Sequence, residues 1–154
     1  MANKLRWALL STANINRALI DPIKRAARSE LSAVASRDLA KAQAYAIEKG
    51  IPRAFGSYEE MLADPDIDAV YISLPNGMHA EWTIKAAQAG KHVLCEKPLV
   101  ISMQEMDAVE KAAHENGVTV FEAFMYLHHP QTLKVKELID GGRIGALQTI
   151  EAQF

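Results

Sequence analysis

Two hydrophobic rhythms alternate along this chain. Short continuous apolar runs are separated by longer stretches in which apolar residues recur at helical spacing. "LRWALLS" (5–11) is such a run and suits a strand buried on both faces. Residues 14–28 then alternate apolar and basic positions in a helical pattern, with Pro22 placed to kink it or mark a restart. "ELSAVAS" (30–36) reads as a second strand. Residues 38–50 read as a helix capped by Asp38 and ended by Gly50. "IPRAFGS" holds a short third strand, and Ser57 followed by Glu60 is a capping box opening a short helix through Ala63. "IDAVYISL" (67–74) predicts a strand, 79–90 a helix ending on Gly90, and 91–96 a strand. A helix over 102–116 is opened by Ser102 with Glu105, followed by a strand over 118–125 and a helix over 130–142.

Strands alternating with helices at this spacing predict an α/β fold: a doubly wound, mostly parallel sheet wrapped on both faces. Ligands of such sheets bind beyond the carboxyl ends of the strands. The residues of interest are therefore those just past each strand, at 11–16, 36–38, 74–79, 96–98 and 125–129. The segment 146–154, "ALQTIEAQF", departs from the rhythm. Its strict alternation predicts one extra C-terminal strand, with Ile150, Ala152 and Phe154 on one face. A single amphipathic strand cannot shelter its own apolar side. The expected division is thus a domain over 1–145 and the first strand of another over 146–154.

Composition narrows the class. The 154 residues, 49% hydrophobic and 23% charged, are enough for one domain with its own core. The net charge of −2 disfavours non-specific nucleic-acid binding. No apolar run approaches the ~20 residues of a membrane span, so no membrane partner is expected. The apolar run after Lys4 and Arg6 is too short for a secretory leader and continues into domain-like periodicity. The single cysteine, Cys95, suits a reducing compartment, and a cytoplasmic location is expected.

The strand ends carry the candidate chemistry. "LLSTANIN" (9–16) occupies the place of a G-x-G-x-x-G turn, with Ser11, Ala13 and Asn16 at the glycine positions. Ala13 is the mildest replacement where the backbone must approach a phosphate. The helix start that follows still offers free N–H groups to an anion. From these residues alone an ordinary strand-to-helix turn is the favoured reading. At "ASRD" (35–38), Ser36 and Arg37 stand where an NAD site wants an acid. A hydroxyl beside a guanidinium suits a 2′-phosphate, which, given a dinucleotide site, puts NADP ahead of NAD; the other reading is a capped helix start with a solvated arginine. Asn76 and His79, in "LPNGMHAEW", could reach a ribose or pyrophosphate, or serve the turn alone. In "CEKPLV", Glu96 and Lys97 follow a buried strand directly. Lys97, partly desolvated beside Glu96, could hydrogen-bond a substrate hydroxyl or a ribose and move a proton; the plainer reading is a surface ion pair. His128 and His129 lack a partner at ligand spacing, so no metal is expected.

Taken together, "LLSTANIN", "AVASRD", "YISLPNGMHAEW", "AGKHVLCEKPLV", "EAFMYLHHPQ" and "GGRIG" resemble the glucose–fructose oxidoreductase / inositol dehydrogenase / rhizopine-catabolism (Gfo/Idh/MocA) family. The resemblance implies a Rossmann fold. It also implies cofactor contacts from Thr12, Ala13, Asn14, Ile15, Ser36, Arg37, Tyr58, Leu74, Pro75, Asn76, His79 and Glu96. Lys97 is implied both in cofactor binding and in catalysis. Some branches of the family also read Ser-Thr-Ala in the first turn. Relatives often carry arginine after the tyrosine of "F-M-Y", where this chain has Leu127. They also continue into a second domain that supplies the sugar pocket and dimer surface. The expectation is the NADP-binding half of a sugar oxidoreductase with little turnover of its own. The alternative is a non-catalytic, self-associating Rossmann domain that has lost cofactor binding, a homodimer paired through the 146–154 strand.

Overall fold

The computed structural model describes residues 4–153. The first unit, through Ala123, is built on six strands: β1 (Leu5–Leu10), β2 (Ser29–Ala35), β3 (Arg53–Phe55), β4 (Ala69–Ile72), β5 (His92–Cys95) and β6 (Val120–Glu122). All neighbours pair in parallel, in the order β3-β2-β1-β4-β5-β6. The connecting helices are α1 (Arg17–Arg25), α2 (Leu39–Lys49), α3 (Tyr58–Leu62), α4 (His79–Gln88) and α5 (Met103–Glu115). This is the doubly wound Rossmann arrangement that the alternating pattern predicts.

The strands sort their side chains to two cores because successive residues face opposite ways. Ala8, Leu10, Val70, Ile72, Val93 and Cys95 pack with residues of α3, α4 and α5. Leu9, Val34 and Tyr71 pack on the other face with Ile20 and Ile23 of α1 and Ala46 of α2. The central strands are therefore buried on both sides, which is why they read as unbroken apolar runs. The β1–β2 register shifts between Trp7 and Ala8, so Leu31 and Val34 share a face although they are an odd number of residues apart.

Helix starts are fixed by side chains as the sequence implies. Asp38 Oδ1 accepts from the Lys41 N–H at 3.2 Å, Ser57 Oγ from Glu60 at 3.0 Å, and Ser102 Oγ from Glu105 at 3.2 Å. Glu105 reaches back to the N–H of Ile101 rather than to that of the cap residue. Gly50 ends α2 at φ 59°, a left-handed angle that glycine adopts without a Cβ clash.

Most element ends shift by one or two residues from expectation, and three regions differ more. A short 3-10 turn (Asn14–Asn16) precedes α1, which runs through Pro22 and stops at Arg25. The 118–125 strand shortens to Val120–Glu122, an edge strand paired on one side only. Residues 146–153 form no strand, because no partner strand closes a hydrogen-bond ladder with them; Phe154 lies outside the described residues. The second unit, 124–154, consists of a 3-10 turn (Met125–His128), α6 (Pro130–Asp140) and irregular chain. His129 Nδ1 accepts from the Gln131 N–H at 3.2 Å and so caps α6.

Candidate functional site

The sheet order reverses between β1 and β4, and the turns leaving these two strands diverge to opposite faces. A crevice opens there at the carboxyl ends of the strands. A cleft of about 230 Å³ lies in it, lined by Ser11, Thr12, Ala13, Ser36, Arg37, Lys41, Tyr58, Ser73, Leu74 and Pro75. Hollows of about 490 and 510 Å³ lie at the opposite ends of the strands. The smaller of these two is walled by Arg6 and Asp66, which already pair with each other.

The first turn works without glycine through a buried ring of hydrogen bonds. Ser11 holds φ 138°, a region that strains an L side chain by about 1–3 kcal/mol. Ser73 Oγ donates to Asn16 Oδ1 at 2.6 Å, and Asn16 Nδ2 donates to the Ser11 carbonyl at 2.9 Å. Ser11 Oγ lies 2.8 Å from Ser73 Oγ and accepts from the Ala13 N–H at 3.2 Å. With the Ser73 proton committed to Asn16, Ser11 donates to Ser73, and the ring closes. Asn16 is 0% exposed and every side-chain group in the ring is paired, so each bond adds about 1 kcal/mol. The ring ties the first turn to the end of β4. Among the described residues it leaves the N–H groups of Thr12, Asn14 and Ile15 without a main-chain acceptor at the mouth of the crevice.

Positive charge gathers beside the end of β2. Ser36 Oγ accepts from the Asp38 N–H at 3.3 Å, which turns the chain so that Arg37 is exposed on the cleft wall. The Tyr58 phenol is raised above its usual range by burial, and the positive charge of Arg37 pulls against that shift. Tyr58 is braced edge-on against Trp82, with ring centres 4.9 Å apart. Lys41, in the first turn of α2, joins Arg37 on the wall. Lys41 was not singled out from the sequence; a second cation in the helix turn just after Arg37 was the available signal. The donor set suits a phosphorylated ribose, two cations and a hydroxyl with no carboxylate on the wall.

Beyond β4, Leu74 and Pro75 line the cleft and Asn76 is exposed at the start of a short 3-10 turn. His79 departs from expectation. Its ring is 0% exposed, with Nδ1 2.7 Å from the Pro98 carbonyl and Nε2 2.7 Å from the Leu74 carbonyl. Both nitrogens are engaged with the main chain, so the side chain does not reach toward a ribose or pyrophosphate.

Beyond β5, Glu96 and Lys97 do not pair. The Tyr71 hydroxyl donates to Glu96 Oε1, and burial together with that carboxylate holds the phenol far above its usual range. Glu96 Oε2 makes no bond among the described residues. Lys97 is exposed rather than partly desolvated, and among the described residues its ammonium has no partner. Cys95 is a core thiol whose pKa burial pushes up to about 12.

Along the strand ends, the phosphate-suited cations at β2, the open N–H groups at β1 and the acceptor–donor pair at β5 thus stand in line. The intervening strands β1 and β4 set them out over about 14 Å. This is the layout of a dinucleotide-binding domain of the doubly wound class, cations at one end and hydroxyl-binding groups at the other.

A family model described as "Oxidoreductase family, NAD-binding Rossmann fold" (Gfo/Idh/MocA) matches residues 5–124, and the chain belongs to that family. A D-xylose 1-dehydrogenase (NADP(+)) of Haloferax volcanii is 47% identical over 150 residues, 97% of this chain and 46% of that protein. A dTDP-3,4-didehydro-2,6-dideoxy-α-D-glucose 3-reductase of Actinomadura kijaniata is 36% identical over 99% of this chain and 46% of its own length. A solved structure of a 3-ketoreductase from Actinomadura kijaniata, in complex with TDP-benzene and NADP in an open conformation, superposes with a TM-score of 0.86 at 36% identity. That superposition covers 93% of this chain and 45% of the other. The chain thus spans just under half the length of these relatives.

Proposed function

We propose that this chain binds NADP(H) as the nucleotide-binding part of a sugar oxidoreductase. The carrying observation is the wall of Ser36, Arg37 and Lys41, with no carboxylate among the residues lining the cleft. Arg37 and Lys41 would hold the 2′-phosphate, and Tyr58 would border the adenosine end. Thr12, Asn14 and Ile15 would present main-chain N–H groups to the pyrophosphate, and the small Ala13 side chain would let it approach the backbone. Pro75 and Asn76 would flank the nicotinamide ribose, with Glu96 Oε2 accepting from a ribose hydroxyl. The names of the xylose dehydrogenase and of the NADP-bound ketoreductase support both the cofactor and the sugar class.

When bound, the nicotinamide supplies the hydride acceptor or donor. Lys97 would then handle the proton: its ammonium would give one to the carbonyl oxygen in the reducing direction, and its neutral amine would take the hydroxyl proton in the oxidising direction. Positioning a sugar opposite Lys97 needs walls on the substrate side, and such positioning carries much of the rate. The 154 residues by themselves are therefore expected to bind cofactor and turn over little. Calorimetric titration tests the reading: NADP should bind more tightly than NAD, and Arg37→Ala should weaken NADP about tenfold while changing NAD little. Equal losses for both dinucleotides would refute the 2′-phosphate role.

A second reading, self-association, is supported by the exposure of Leu133, Val135, Ile144, Leu147 and Ile150 within 124–154. Sedimentation checks it: a weight that rises with concentration supports association, and a constant monomer weight removes it.

A further inference from the structure

Lys97 is the group the proposed chemistry relies on, yet among the described residues its own side chain has no bonding partner. Its position is set by the residues on either side. Glu96 N donates to the Ile72 carbonyl at 2.9 Å, which extends the β4–β5 ladder up to Lys97. Immediately after it, the Pro98 carbonyl meets His79 Nδ1 at 2.7 Å, and the Leu99 N–H donates to Glu122 Oε1 at 2.8 Å. The same His79 ring meets the Leu74 carbonyl through Nε2 at 2.7 Å. A neutral imidazole donates to one of these oxygens and a cationic one to both; either way the ring fills the gap between the two segments. His79 begins α4 and Glu122 ends β6, so the clamp draws on the ends of two elements, of which α4 also carries the Trp82 that braces Tyr58.

We propose that His79 and Glu122 are positioning residues that clamp the 97–99 segment, fixing where the Lys97 ammonium stands relative to the Leu74–Asn76 turn. The proposal rests on the dinucleotide reading for its consequence: the clamp serves the nicotinamide end and leaves the adenosine end, at Arg37 and Lys41, untouched. A residue that merely stabilised the fold would affect both ends alike.

The test uses the whole chain and two ligands, NADP and adenosine 2′,5′-bisphosphate, which carries only the adenosine end. Glu122→Ala and His79→Phe should each weaken NADP about tenfold and leave the bisphosphate within about twofold of the unmodified chain. Glu122→Gln, which keeps an acceptor for the Leu99 N–H, should bind both normally. In a Lys97→Ala background, Glu122→Ala should have no further effect on NADP. Should His79→Phe not fold, the Glu122 pair and the double variant decide. Parallel losses of both ligands, or no loss of either, would overturn the clamp. If the unmodified chain bound neither ligand, the dinucleotide reading would fail instead. The clamp would then stand or fall on hydrogen exchange at the Leu99 amide, which Glu122→Ala must accelerate and Glu122→Gln must leave slow.

Discussion

Ser11 sits at a backbone angle suited to glycine, and its hydroxyl, through Ser73 and Asn16, keeps it there. Two effects oppose each other at this residue, and substitutions separate them. Ser11→Gly loses the hydroxyl but relieves the angle, whereas Ser11→Ala loses the hydroxyl and keeps the strain. Ser11→Ala should therefore be the less stable of the two by about 1 kcal/mol, read from urea midpoints at equal slope. Asn16→Ala opens the ring and leaves a buried hydroxyl and carbonyl unpaired, which should lower stability by about 1–3 kcal/mol. None of this was legible in "LLSTANIN". The partner that makes the turn workable, Ser73, lies 57 residues from Asn16 in sequence, and no local motif reports a contact at that range. The buried setting of His79 is hidden in the sequence for a related reason. A histidine at the start of a helix looks accessible until the Lys97–Pro98 segment is folded over it.

At the scale of the elements, the hydrophobic rhythm carried most of the information. Each capping side chain named from the sequence, Asp38, Ser57 and Ser102, caps its helix, because capping is settled within a few residues. What the rhythm could not settle was pairing. "ALQTIEAQF" has strand alternation and no ladder, while the short RAF stretch becomes a strand because β2 lies beside it. One tie between elements sets a pH dependence. Arg6 of β1 grips Asp68, just before β4, through Nε at 2.9 Å and Nη2 at 2.8 Å. The hydrogen bond from Arg6, working against partial burial, lowers the Asp68 carboxyl from 3.8 to about 2. A lowered folded-state pKa contributes stability that is complete above the ordinary value and disappears on acidification through the folded one. Unfolding midpoints should accordingly fall between pH 4 and pH 2, and Asp68→Asn should flatten that part of the profile. An unchanged acid slope in the variant would show that the tie has no such part.

At the scale of the whole molecule, the carboxyl edge of one sheet offers cations, open N–H groups and an acceptor–donor pair in the order a dinucleotide needs. The sequence order of the motifs made this edge legible, since each motif follows a strand. The convergence of Lys41 with Arg37 became visible only once the first turn of α2 lay against the end of β2. Adding Lys41→Ala to Arg37→Ala should weaken NADP further, by up to about tenfold, with NAD again nearly indifferent; calorimetry on the double variant checks this. The apolar side chains exposed over 124–154 have no counterpart in the nucleotide site, and the concentration series in the centrifuge addresses them separately.

Dinucleotide binding by this chain requires a phosphate-binding bend that works with serine, alanine and asparagine in place of glycine. Crystallography of the chain with bound NADP tests this most directly. The pyrophosphate should lie against the main chain of Thr12 to Ile15, with the 2′-phosphate between Arg37 and Lys41 and the Ser11–Ser73–Asn16 ring intact. A dinucleotide seated elsewhere, with that bend closed by its own side chains, would contradict it.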